Sequence, residues 1–174
     1  MKTIGIDIGD CQFRLSYLDG SIPKLISDSL GRTAFPSKVS FLPGGGSRQG
    51  YDADMFGIPE NTILHPMTLN SKSSEELLGL NGRYAYEFLP DGRQVVINAH
   101  RVFVSASAVL TALFSYAKKL AEEYLHEPVE NIVIAIPDGL DDPARIRIKK
   151  SAEVAGLRVK QLLNQTTAAA FGLK

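Results

Sequence analysis

The amino-acid sequence predicts an α/β fold in which helices flank a mixed β-sheet. The early part of the chain consists of short strands joined by tight turns. The last part alternates helix, strand, helix, strand and helix, with the lengths of parallel crossover connections. This order is typical of neither a helical bundle nor a β-sandwich. With 174 residues and 44% hydrophobic content, the chain is large enough for one buried core.

The first strands are predicted from alternating apolar residues. Residues 3–8 alternate isoleucines with a glycine and an aspartate, and residues 13–18 form a second run that ends at Asp19-Gly20. An Asp-Gly pair is a typical hairpin turn. A third strand is expected at residues 24–26.

The middle of the chain is predicted to be poor in regular structure. After a short strand at residues 38–42, residues 43–82 are rich in Gly, Pro, Ser and Asn, so we expect few regular elements there. A second hairpin is expected at residues 84–89 and 93–97. Its turn is Pro90-Asp91-Gly92, in which Pro fixes one backbone dihedral and Gly accepts a positive one.

A long amphipathic helix is predicted after Ser105, with Ser105 or Ser107 as its N-cap. Its apolar stripe recurs at three- and four-residue steps: Val109, Leu110, Leu113, Phe114, Ala117, Leu120, Ala121, Tyr124 and Leu125. Residues 131–136 are a continuous apolar, β-branched run, as expected for a strand covered on both faces, and Pro137 ends it.

The chain then continues with a helix, a strand and the start of another helix. Asp142 as N-cap and Pro143 at the first helical position predict the start of the helix, and Gly156 predicts its end. Residues 157–163 are expected to form a strand, and residues 166–173 the beginning of a helix.

Composition excludes several classes of function. Lys plus Arg equals Asp plus Glu at 19 each, so no whole-chain field attracts nucleic acid. No signal peptide and no membrane span are predicted. The single cysteine, Cys11, is compatible with a reducing compartment, so a cytoplasmic location is expected. Its neighbours Asp7 and Asp10 disfavour a reactive thiolate, so we expect Cys11 to have a packing role.

The most informative segment for function is the hairpin of the first two strands, with Gly5, Asp7, Gly9 and Asp10 around its turn. Glycines at such a turn let backbone N–H groups approach phosphate oxygens, and Asp7 at the strand end could hold the waters of a divalent cation. An ordinary tight hairpin in which aspartate accepts backbone hydrogen bonds remains the alternative.

The order of short motifs resembles the DnaK-type, seventy-kilodalton heat-shock chaperones of the actin-like ATPase superfamily. The stretch Asn164 to Ala170 matches the family's Asn-Glu-Pro-Thr-Ala-Ala-Ala at five of seven positions. The other similar segments, in family order, are residues 5–9 (the first phosphate loop), 31–37, 61–63, 121–128, 132–137 and 152–157.

The resemblance implies a fold of two parts. Residues 1–36 and 102–174 would form a ribonuclease-H-like subdomain, and residues 37–101 an inserted, smaller α+β subdomain. The family's second lobe, with the second phosphate loop, would be missing, so ATP affinity of this lobe alone should be poor. The uncovered apolar face would make a homodimer possible.

The resemblance also implies a function and a ligand. The chain would be the first lobe of the ATP-binding domain of a chaperone, acting on protein clients with cochaperones. Its ligand would be ATP or ADP with Mg, and Asp7 would hold the metal through water. The residues implied to contact nucleotide are Gly5, Asp7, Gly9, Asp10, Cys11 and Gln12.

Departures from the family concentrate on the positions that carry the chemistry. Asp10 and Cys11 replace two hydroxyl residues that donate to phosphate, and an ionised Asp10 would repel a polyanion. The family's catalytic lysine aligns with Met67, which cannot supply positive charge, and Lys72 lies five residues away. The family's magnesium-organising glutamate is Gln165.

These replacements leave three functions open. The first is a chaperone lobe with weakened or absent ATP hydrolysis. The second is an active ATPase with rearranged catalytic residues, and the third is a nucleotide-independent protein-interaction module on the same fold. All three remain open at this point, and whether the chain is an ATPase is undecided.

Several other residues bear on partners. Gln161 stands where family members carry an arginine that contacts J-domain cochaperones, which puts conventional J-protein regulation in doubt. The basic residues Arg145, Arg147, Lys149 and Lys150 are interpreted as a solvated helix face. The three histidines, His65, His100 and His126, have no ligand spacing, so no zinc site is predicted.

Overall fold

A computed structural model describes residues 2–92 and 94–172 of the chain. Its central feature is a six-stranded mixed sheet in which the strands follow the order β12-β11-β1-β2-β3, with β4 also paired to β2. These strands are β1 (Thr3–Ile8), β2 (Gln12–Asp19), β3 (Ile22–Leu25), β4 (Ala34–Pro36), β11 (Asn131–Ile136) and β12 (Arg158–Asn164). The predicted N-terminal hairpins are confirmed, with shifts of one or two residues at strand ends.

The direction of the strands determines which loops lie together. β1 pairs antiparallel with β2 and parallel with β11, and β11 pairs parallel with β12. Ile4, Ile6 and Ile8 of β1 are fully buried, because alternate side chains of a strand point to the same face. The carboxyl ends of β1, β11 and β12 therefore meet at one edge of the sheet.

Two helices pack together beside this sheet. α4 (Ala106–Leu125) begins at Ser105, whose Oγ accepts a hydrogen bond from the backbone N–H of Ala108 at 3.1 Å. α5 (Asp142–Val154) connects β11 to β12 and contacts α4 where Ser151 donates to the carbonyl of Ser107 at 3.2 Å. The predicted apolar stripe of α4 is buried from Val109 to Ala121. None of the helices in the described ranges combines the length and apolarity that crossing a bilayer requires.

The N-cap of α5 differs from the prediction by one position. Asp141 is the capping residue, accepting from the N–H of Ala144 at 2.8 Å, and Pro143 occupies the second helical position instead of the first. Two adjacent aspartates offer the same capping chemistry, so composition alone does not choose between them.

Two three-stranded sheets lie between β4 and α4 in the sequence. One has the order β6-β5-β7 and the other β10-β9-β8. Their strands are β5 (Val39–Phe41), β6 (Ser47–Gln49), β7 (Thr62–Ile63), β8 (Glu87–Asp91), β9 (Gln94–Ala99) and β10 (Val102–Val104). The predicted second hairpin exists, but its first strand begins at Glu87 instead of residue 84. Its predicted second strand includes Arg93, which lies outside the described residues.

The expectation of little regular structure in residues 43–82 is wrong. This segment contains α1 (Tyr51–Phe56), a 3₁₀ turn (Pro59–Asn61), α2 (Pro66–Ser71) and α3 (Ser74–Leu78). Some polar residues that were expected to interrupt regular structure instead start helices. Ser73, for example, caps α3 and accepts from the N–H of Glu76, whose carboxylate in turn accepts from the N–H of Ser73.

The last helix, α6 (Gln165–Gly172), starts one residue before its predicted position. Leu173 and Lys174 lie outside the described residues. One continuous apolar core extends from β1 through β5, β8, α4 and α5. The mixed sheet with flanking helices confirms the α/β class, while the division into residues 1–36 with 102–174 and residues 37–101 stays a prediction.

Candidate functional site

The turn between β1 and β2 lies at the sheet edge where the carboxyl ends of the parallel strands meet. It closes through a hydrogen bond from the N–H of Gly9 to the carbonyl of Gln12 at 3.1 Å. The N–H of Ser37 donates to the carbonyl of Cys11 at 3.0 Å, which ties the turn to the chain after β4. The turn is therefore fixed by backbone contacts on both sides.

The two glycines predicted to contact phosphate differ in their surroundings. Gly5 lies within β1, and a Cβ there would come within 2.7 Å of Ser16 Oγ on β2. Its small size is therefore explained by strand packing. A Cβ on Gly9 would lie 3.5 Å from the Gln12 carbonyl oxygen, which is an ordinary contact. Nucleotide contacts of both glycines stay predictions.

Asp7 and Gln165 meet at this edge, as the parallel strand order requires. Gln165 Nε2 donates to Asp7 Oδ1 at 2.7 Å, and the same nitrogen lies 3.5 Å from the carbonyl oxygen of Ile8. Asp7 is exposed. The amide therefore presents a donor to the carboxylate that the resemblance assigns to metal binding, and the metal role of Asp7 stays a prediction.

Asp10 makes a contact that the sequence did not indicate. Its Oδ1 accepts from the backbone N–H of Thr68 at 2.8 Å, and its Oδ2 accepts from the Thr68 hydroxyl at 2.5 Å. Thr68 lies in the first turn of α2, 58 residues away in sequence. The carboxylate expected to repel a bound polyanion is thus engaged with donors of the protein itself.

Met67, the residue aligned with the family's catalytic lysine, does not reach this turn. Its side chain is only 2% exposed and belongs to the apolar core. The neighbouring residue, Thr68, faces the turn instead. Lys72, the alternative cation, lies 3.6 Å from Glu76 in an ion pair. This ion pair gives no support to the idea that Lys72 replaces the family's catalytic lysine.

Cys11 and Gln12 are both exposed, so the expected packing role of Cys11 is wrong. The reason is that Cys11 lies in the turn and Gln12 is the first residue of β2, whose buried positions start at Phe13. Gln12, with its amide oxygen turned towards Arg14, accepts from Arg14 Nη2 at 3.0 Å. Nucleotide binding by these two residues stays a prediction.

An aromatic cluster adjoins the turn. Tyr84 and Tyr86 stack with ring centroids 4.9 Å apart, beside a cavity of about 320 Å³ that Thr62 and Leu64 also line. Burial is the main cause that raises the pKa of Tyr84, and the negative charge of Asp10 raises it further.

The prediction that the basic residues of α5 form one solvated face is wrong. Lys149 and Lys150 are exposed, but Arg145 donates to Asn164 Oδ1 at 2.8 Å. Arg147 donates through Nε at 2.9 Å and Nη2 at 2.6 Å to the carbonyl oxygen of Asn70. A guanidinium is long enough to span neighbouring elements, which the charge pattern alone did not reveal.

Gln161 and the three histidines lie outside the β1–β2 turn, although His65 directly precedes α2, whose Thr68 contacts Asp10. Gln161 is exposed on β12, the outermost strand on one side of the sheet. The histidines all have positive φ, at 53° for His65, 52° for His100 and 54° for His126. They occupy turn and helix-end positions, and no group of three or more possible metal-ligating side chains occurs among the described residues.

Sequence reasoning missed Thr68 and Arg147. The signal for Thr68 was available: Pro66 at the first position of a helix leaves the following N–H groups without intrahelical acceptors, so a nearby carboxylate is favoured. No comparable signal existed for Arg147, because its acceptor is a backbone carbonyl. Chemically, Asp10 accepts two hydrogen bonds from Thr68 and Asp7 accepts one from Gln165, while position 67 carries a buried thioether that has no charge.

Comparisons with known proteins agree with the motif order. Residues 3–174 match the family described as Hsp70 protein. The chain is similar to the "Chaperone protein HscA homolog" of Ralstonia nicotianae (30% identical over 170 residues) and of Burkholderia multivorans (32% over 170). It is also similar to that of Burkholderia cenocepacia (33% over 172). Each match covers 97% of this chain and 27% of the relative.

The family match covers nearly the whole chain, and the mixed sheet with its flanking helices is consistent with the actin-like ATPase fold. The chain spans about a quarter of the length of these relatives. On these grounds the chain belongs to the Hsp70 family.

Proposed function

We propose that this chain is the first lobe of a chaperone's ATP-binding domain and that the domain hydrolyses ATP weakly or not at all. The observation that carries the proposal is the contact of Asp10 with Thr68. Where family members have hydroxyl donors in the phosphate loop, this chain has the carboxylate of Asp10. That carboxylate accepts hydrogen bonds from Thr68 of the same chain.

The residues at the sheet edge fit a metal-bound polyphosphate poorly. Adenine nucleotide with Mg is the general ligand of the family, and Asp7 would hold the metal through water. Mg²⁺ takes oxygen ligands. Gln165 instead turns its nitrogen towards Asp7, and a second anion, Asp10, stands in the same turn. We therefore derive no hydrolytic step through the nucleotide.

The methionine at the position of the family's catalytic lysine supports reduced turnover. Removing one electrostatic group that stabilises developing charge typically lowers the rate by about 100- to 1000-fold. At position 67 the chain has a thioether that is buried in the core. Even if the other contacts were retained, this change alone supports a large loss of rate.

A nucleotide-independent interaction module is the second candidate. The internal hydrogen bonds of Asp7 and Asp10 favour it, because both carboxylates are satisfied by protein donors. An active ATPase with rearranged residues is not favoured by a described contact. In the longer protein, contacts with protein clients and cochaperones are part of the proposal and follow from family membership alone.

The test is a single-turnover ATP hydrolysis assay on a protein that contains both lobes, with and without the substitution Asp7→Ala. We expect the two rates to be equal and close to the uncatalysed background. Gln161→Arg serves as a matched control, because it lies at an exposed position outside the turn and should leave the rate unchanged.

Robust turnover that Asp7→Ala abolishes would contradict weakened hydrolysis and favour the rearranged ATPase. Absence of any calorimetric signal with MgATP, together with a preserved fold, would favour the nucleotide-independent module. Weak binding without turnover is the outcome that the proposal predicts.

A further inference from the structure

Helix α2 (Pro66–Ser71) has only six residues and is too short to be stable by itself. Its N-terminus has no side-chain cap from the preceding residue, His65, which has left-handed φ and ψ angles of 53° and 52°. Pro66 has no N–H, but the following residues have donors that no earlier turn of the helix satisfies. External acceptors are therefore needed at this end.

Asp10 supplies the acceptor. It receives hydrogen bonds from both the backbone N–H and the hydroxyl of Thr68, the third residue of α2. The carboxylate also places a negative charge at the positive end of the helix dipole. The contact joins α2 to the β1–β2 turn of the central sheet.

The opposite end of α2 is held from another direction. Arg147 of α5 donates two hydrogen bonds to the carbonyl of Asn70 and places a positive charge near the negative end of the helix. Asn70 itself donates through Nδ2 to the carbonyls of Pro66 at 2.9 Å and Ala106 at 2.8 Å. This end is thereby tied to both α4 and α5.

Charge, hydrogen bonding and burial all act on the same short helix. Between the two contacts, Met67 and Leu69 are 2% and 1% exposed, so the helix also packs into the core. All of these contacts come from the chain itself, and none requires a bound ligand.

We infer that Asp10 and Arg147 are positioning residues that fix α2 from its two ends. The helix carries position 67, so this arrangement also holds residue 67 in the core. These contacts belong to the folded chain alone, so testing them does not depend on the rate of ATP hydrolysis.

Amide hydrogen exchange of the 174-residue chain without nucleotide tests this inference. The N–H of Thr68 is in a first helical turn, where amides normally lack an intrahelical acceptor, so its protection reports the Asp10 contact directly. Asp10→Ala should raise its exchange rate by about 10- to 100-fold, as expected for a hydrogen bond to a charged group. Exchange in β1 and β11 should stay unchanged.

The other end is tested with Arg147→Met, which keeps the length of the side chain and removes both donors. It should raise exchange at Asn70 and Ser71 by about 10-fold. Arg147→Lys should give a smaller rise, because an ammonium can replace only part of the paired contact. This graded response separates positioning through the guanidinium from a loss of packing.

Two matched controls use the same chemistry elsewhere. Asp138→Asn alters a different aspartate–threonine contact, in which Thr166 donates at 2.7 Å, and Lys149→Met removes an exposed cation from α5. Both should leave exchange in α2 unchanged.

Unprotected Thr68 in the unmodified chain would overturn the inference, and so would a response at only one end of α2. If Asp10→Ala unfolds the whole chain, Thr68→Val decides the question, because it keeps the backbone donor and removes only the hydroxyl. We expect a rise of at least about threefold in α2 for that variant, and an unchanged rate would refute the role of Asp10.

Discussion

Replacing Met67 by lysine restores the family's residue at this position, yet we expect Met67→Lys to destabilise the fold without restoring turnover. The side chain of Met67 is 2% exposed, so the ammonium would enter the apolar core. Keeping a lysine neutral at pH 7 costs about 1.4 kcal/mol for each pH unit below its ordinary pKa of about 10.4. The cost is therefore up to about 5 kcal/mol, with lost packing in addition.

The burial of the new lysine also determines how the stability of Met67→Lys changes with pH. Burial would lower the lysine pKa in the folded state, so at neutral pH the unfolded chain would bind more protons than the folded chain. The penalty should therefore shrink as the pH rises towards the lysine pKa of the unfolded chain.

Urea unfolding at pH 7 and at pH 9.5, followed by circular dichroism, measures the effect of Met67→Lys directly. Met67→Leu is the control and should cost less than about 1.5 kcal/mol, because it conserves volume and hydrophobicity. If Met67→Lys is as stable as the unmodified chain at pH 7, or if it gains ATP turnover in a two-lobe protein, the burial argument is wrong.

Three further predictions concern the sheet edge and a nearby loop. Gly5→Ala should destabilise the fold by about 1 to 3 kcal/mol in urea unfolding, because the new Cβ would meet Ser16 Oγ at 2.7 Å; Ser16→Ala in the same chain should recover most of this loss. Gln165→Glu would place a second carboxylate against Asp7, so thermal unfolding should occur at a lower temperature in EDTA and recover when Mg²⁺ is added; equal melting in both solutions would contradict this. Burial raises the pKa of Asp28, but hydrogen bonds within its loop outweigh burial and hold the pKa below its ordinary value. The contribution of Asp28 to stability is therefore present above the pKa of the unfolded chain and is lost as the pH falls through the pKa of the folded chain. Asp28→Asn should flatten acid unfolding in that range.

The sequence was informative where local chemistry alone decides the structure. The apolar stripe of α4 and the hairpin turn at Asp19-Gly20 were identified correctly, and Ser105 is one of the two serines predicted as the cap of α4. These features depend on periodicity, capping and strand direction, which can be read from the residues themselves. The contact between Asp7 and Gln165 was not predicted, although the parallel order of β1, β11 and β12 brings the two residues together.

The helices of residues 43–82 and the contact of Asp10 with Thr68 were not predicted. The short helices there are stabilised by contacts with distant elements, such as Asp10 with Thr68 and Arg147 with Asn70. Helices of five or six residues have too little intrinsic propensity to be recognised from composition. For the same reason, the sequence indicated a negative charge at Asp10 but not the hydrogen-bond donors of Thr68 that hold it.

The affinity of MgATP for a protein that contains both lobes shows whether the Asp10 carboxylate, which Thr68 holds in the first turn, weakens nucleotide binding. Isothermal titration calorimetry should give weak binding for the unmodified protein, and Asp10→Thr, which returns a hydroxyl to the turn and removes the anion, should bind at least about tenfold more tightly. Tight binding by the unmodified protein, with a loss of affinity in Asp10→Thr, would contradict the account.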